Sequence, residues 1–182
     1  MEDERLVTFV RRVDTLMTRL ADLFLVAANL CLFAMLAATA ATIILRPLGL
    51  SFYWLWPWSM QVFVWMSFLG FFTVYQRRKD IAVDFVMRKL GPRAMKASRW
   101  FVAGLVAAVM IVLLVEAPKI LKSQVGVIDG VVTPWGGELE RWTLSVPLFV
   151  SCALILLNAL LDMAKSWLGL PEPVAEHHVG DE

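Results

Sequence analysis

The stretch LFLVAANLCLFAMLAATAATIIL, residues 23–45, runs 23 residues without a charge and stops at Arg46-Pro47. At about 1.5 Å of rise per residue, a helix of that length measures roughly 35 Å. That is enough to cross a hydrocarbon core of about 30 Å. Lipid offers backbone amides no hydrogen-bonding partner, so a spanning segment must be a helix or a strand of a closed barrel. Barrel strands are about ten residues long and alternate apolar with polar side chains. This stretch does neither, and it reads as a transmembrane helix.

Three further blocks share its character, over residues 54–75, 100–115 and 143–161. Arg77-Arg78-Lys79 closes the second, Glu116-Ala117-Pro118 the third, and the fourth stops just before Asp162. Of the 182 residues 59% are hydrophobic, against roughly 45–50% in a soluble domain. Charges are confined to the intervals, as expected where each charge at the membrane centre costs about 2.5–3.5 kcal/mol. The fold class expected is therefore all-α: an integral membrane protein with four transmembrane helices in one domain over residues 1–169, followed by a short, polar, disordered tail over 170–182.

Ahead of the first span, Phe9, Val10, Val13, Leu16, Met17 and Leu20 recur at helical spacing among four arginines. The pattern predicts an amphipathic helix lying on the membrane surface. A second interfacial helix is expected over residues 81–90, capped by Asp80 and ended by Gly91-Pro92. Residues 23–40 also resemble a signal peptide with a small-residue cleavage site. The apolar run continues to Leu45, however, and the preceding segment is long with mixed charge, so an uncleaved first helix is the expectation.

Lys and Arg number 13 on the side holding the N-terminal segment, the 77–99 connection and Lys165, against 4 on the other. The positive-inside rule then places both termini in the cytoplasm. Aromatic rings mark the boundaries. Trp54, Trp56 and Trp58 begin the second span, and Arg77, Arg78, Lys79 and Arg88 supply basic contacts for lipid headgroups on the other face.

The four cores contain no Asp, Glu, Lys, Arg or His, where a pump or intramembrane enzyme keeps such residues for use. Their polar groups, among them Asn29, Gln61, Ser67, Ser151 and Asn158, suit hydrogen bonds between helices. Cys31 and Cys152 lack CxxC spacing and a neighbouring His, which leaves them as packing residues. No catalytic residue, metal site or cofactor is expected, and a net charge of +1 gives no case for nucleic acid. Small residues do form faces: Ala34, Ala38 and Ala41 in the first span, and Gly104 and Ala108 in the third. Such faces let helices approach closely, either within the chain or to a partner.

One set of features is more specific. Arg46 follows the first span, and Trp65-Met66-Ser67-Phe68-Leu69-Gly70 lies in the second. Arg77-Arg78-Lys79-Asp80-Ile81-Ala82-Val83-Asp84 then follows, with Thr133-Pro134 and Pro147 framing the fourth span. In order and spacing these resemble the small permease subunit, DctQ type, of tripartite ATP-independent periplasmic (TRAP) transporters. The resemblance covers nearly the whole chain. It departs from the family at Trp58-Ser59-Met60-Gln61, where acidic residues are common, and at Asp80, where a histidine is frequent.

The resemblance implies a scaffold in the bacterial inner membrane that contacts lipids and binds a large, elevator-type membrane subunit. That larger subunit would carry the substrate and sodium sites and receive an organic acid, such as a dicarboxylate, from a periplasmic substrate-binding protein. Two other classes compete. A small four-helix membrane enzyme or redox protein would need clustered reactive side chains, and a stand-alone exporter would need an acid within a span. Neither feature is in the sequence.

Overall fold

A computed structural model describes residues 2–49, 52, 54–77, 92–132 and 136–168. The helices are α1 (Glu2–Leu45), α2 (Leu55–Arg77), α3 (Pro92–Ser123) and α4 (Trp142–Leu168). A 3-10 turn at Arg46–Leu48 follows α1, and two short strands, β1 (Val127–Val132) and β2 (Glu138–Glu140), lie between α3 and α4. All four helices are long and apolar enough to cross a membrane. The chain is a multi-pass membrane protein, with four spanning helices among the described residues.

In α1 the expected surface helix and the first span are joined in one helix of 44 residues, about 66 Å long at the usual rise. No Gly or Pro interrupts it. The apolar positions of its first half also continue in phase with those of the second. Val10, Met17, Ala21 and Ala28 are all buried, on one stripe of about seven-residue period. The first half stands against the last turns of α4. Pro47 and a left-handed Gly49 (φ 74°) end the run.

Two other boundaries move for similar reasons. The helix α3 passes through Pro118, the expected stop, and continues to Ser123. A proline lacks one backbone donor but holds a helical φ, and here the turn is also spanned by a Lys119–Glu116 ion pair at 2.9 Å. The helix α4 passes Asp162 and buries Lys165 before ending at Leu168. The expected helix over 81–90 and the tail over 170–182 lie outside the described residues.

The helices α2 and α4 hold the centre. The α1 helix packs on α2, α2 on α4, and α4 on α3, while α1 reaches α4 at one end. Met17, Ala21, Phe72, Met110, Cys152 and Ile155 form the core, with Phe24 edge-on to Phe72 at 5.6 Å. The opposite end is closed by an antiparallel hairpin that pairs Val127 with Glu140 and Val132 with Glu138.

Candidate partner interface

Polar side chains inside the bundle join helix to helix. The Ser151 hydroxyl donates to the Phe68 carbonyl at 2.5 Å, Asn158 donates to the Gln76 side chain, and Thr73 donates to the Ala21 carbonyl at 3.1 Å. At the same end Lys165, itself buried, pairs with Asp14, and Arg77 pairs with Asp22 at 2.7 Å across an exposed gap. At the hairpin end Trp58 donates its indole N–H to the Val132 carbonyl at 3.2 Å. Trp65 does the same to Thr143 at 3.1 Å. Each of these bonds ties two elements together and fixes a register.

The candidate interface residues fall mostly on what this packing leaves over. In α3 the buried stripe is Ala103, Ala107, Met110 and Ala117. Gly104 is half-buried and Ala108 exposed, both turned off that stripe, and a Cβ on Gly104 would meet nothing within 4 Å. In α1, Ala34 is exposed while Ala38 and Ala41 are half-buried. Beyond Ala28 that helix turns mostly outward, with Leu30, Phe33, Ile43 and Ile44 each more than 60% exposed.

The residues carrying the resemblance are distributed as follows. Arg46 is exposed in its turn, Phe68, Leu69 and Gly70 are half-buried in α2, and Pro147 is half-buried inside α4. Ile81, Val83, Asp84 and Pro134, with the basic Arg78, Lys79 and Arg88, lie outside the described residues. Of the tryptophans, Trp54 and Trp58 are half-buried and Trp56 is exposed. Trp58 spends its donor on the hairpin, a partnership that sequence reading missed, and Trp56 is left open to its surroundings.

A groove between α1 and α2 was not visible in the sequence. It encloses about 370 Å³ and is walled by Ala28, Asn29 and Leu32 on one side and by Met66, Gly70 and Val74 on the other. Helical spacing lines up the residues of each wall, but only the pairing of α1 with α2 brings Asn29 and Gly70 to one groove.

Residues 35–169 match the family model described as "Tripartite ATP-independent periplasmic transporters, DctQ component". No curated protein and no solved structure matches the chain. The matched segment includes most of α1 beyond Asn29, all of α2, α3 and α4, and the hairpin.

Proposed function

Because the chain belongs to the DctQ component family of tripartite ATP-independent periplasmic transporters, we propose that it is the fixed scaffold of its transporter. The family is one of transporter components, and the chain is a small membrane subunit. In this reading it holds a large, elevator-type permease subunit in the bacterial inner membrane. That subunit carries the sodium and substrate sites and takes up an organic acid, a dicarboxylate or related carboxylate, handed over by a periplasmic binding protein. Both termini and the Arg77 end face the cytoplasm, and the hairpin faces the periplasm.

The supporting observation is the division of labour between faces. Ser151 and Asn158 are used inward, on α2. Ala34, Ala108 and the open side of Gly104 are left outward, where Ala38 and Ala41 extend the α1 face. Small residues turned outward in a bilayer gain little from lipid but allow close helix approach. Trp54, Trp56 and Arg77 would then meet the headgroup zones.

The test is reconstitution in liposomes with an imposed sodium gradient. The chain alone is expected to give no uptake, while the chain with its large subunit and binding protein gives saturable organic acid uptake. Saturable uptake by the chain alone would sink the scaffold reading.

A further inference from the structure

The groove between α1 and α2 has two features that packing within the chain does not account for. The first is Gly70. A glycine in a helix interior costs about 1 kcal/mol relative to alanine, and here a Cβ would meet nothing within 4 Å. Among the described residues no neighbouring helix needs the missing side chain. Its effect is to lower the groove floor and leave backbone open to whatever lies in the groove.

The second is Asn29. Its side chain is exposed on the groove wall, inside a stretch of 23 uncharged residues. It makes no hydrogen bond among the described residues. Nearby Ser67 already donates to the Phe63 carbonyl at 2.9 Å. An amide in hydrocarbon without a partner is unfavourable, and a lipid chain could fill the volume without bonding it. Another helix can do both, by seating its backbone on Gly70 and presenting a polar side chain to the amide.

We propose that the α1/α2 groove seats a transmembrane helix of the large permease subunit. That helix carries a Ser, Thr, Asn or Gln at the level of Asn29. The inference rests on the scaffold reading above and assigns the surface that reading leaves open.

The experiment co-expresses the chain with its large subunit and measures how much of the latter is retained on purification. Gly70→Leu fills the groove and is expected to reduce retention about tenfold or more, as overpacking a close contact does. Asn29→Leu removes the amide but suits lipid well, and it should reduce retention about threefold, in line with hydrogen bonds between membrane helices. Gly70→Ala adds only a methyl group in empty space and favours the helix. If Gly70→Leu fails to accumulate, reduced retention with Gly70→Ala decides for the partner. Benzoylphenylalanine in place of Leu32 should crosslink to the large subunit. Adducts only with lipid or with a second copy would overturn the assignment, as would unchanged retention in all three variants. If the wild-type chain retains no large subunit, the scaffold reading itself fails and the groove assignment with it. If the wild type retains it and the variants do too, only the groove assignment is lost.

Discussion

Asp14 and Lys165 show how a single pair can decide the course of a helix. The Lys165 side chain is 7% exposed and that of Asp14 25%, so removing the carboxylate strands an ammonium group that water barely reaches. Breaking such a buried pair typically costs about 3–5 kcal/mol. Partial exposure of Asp14 places the expected loss for Asp14→Ala near the lower end of that range. Asp14→Ala combined with Lys165→Met should regain most of it, because an apolar pair of similar shape leaves no charge uncompensated. Heating in detergent while following the reactivity of the buried Cys152 thiol, in a Cys31-free background, reads the difference. The Arg77–Asp22 pair makes a useful contrast. Both of its side chains are more than half exposed, so Asp22→Ala should move the same midpoint by less than about 1 kcal/mol. A double variant no more stable than Asp14→Ala alone would show that the pair does not hold the helices together.

Among the elements, the four helices were legible because a bilayer fixes their length and strips them of charge. The apolar blocks at residues 23–45, 100–115 and 143–161 lie within observed helices, and the block at 54–75 starts one residue ahead of α2. The course of α1 was not legible. Phe9, Val13 and Met17 among arginines read as an amphipathic helix, but not as one continuous with the first span. Nor does the sequence show that its neighbour is Lys165, about 150 residues away in the chain. The hairpin was missed because its β-branched pairs, Val127-Ile128 and Val131-Val132, are separated by Asp129-Gly130, which reads as a loop signal. In the structure Gly130 has φ 82° and faces Pro57, whose Cγ would sit 3.5 Å from an added Cβ. That separation is ordinary contact, so the penalty for Gly130→Ala comes from the left-handed backbone, at about 1–2 kcal/mol. Cleavage within the hairpin by an added protease should rise roughly 5–30-fold, while the helices remain resistant. An unchanged cleavage rate would mean that the hairpin is not what holds this connection closed.

Taken whole, the molecule has a sidedness that basic residues predict and labelling can read. In a Cys31- and Cys152-free background, Ser123→Cys should react with an impermeant thiol reagent on intact cells, and Ser98→Cys only after permeabilisation. The reverse pattern would invert the orientation. The candidate interface was only half legible at this scale. Gly70 and Asn29 each stand out in the sequence as a residue type at odds with its surroundings, but a string of residues cannot show that they face one groove. The Asp14–Lys165 contact also has a consequence in time. Its partners are 151 residues apart, so at about 5–20 residues per second of synthesis Asp14 is joined to the chain roughly 8–30 s before Lys165 is. During that interval the inner stripe of the first helix has no fourth helix to rest on. A nascent subunit is therefore most exposed to degradation and mispairing before its final turns emerge, and a chain truncated ahead of Lys165 would be held in that state.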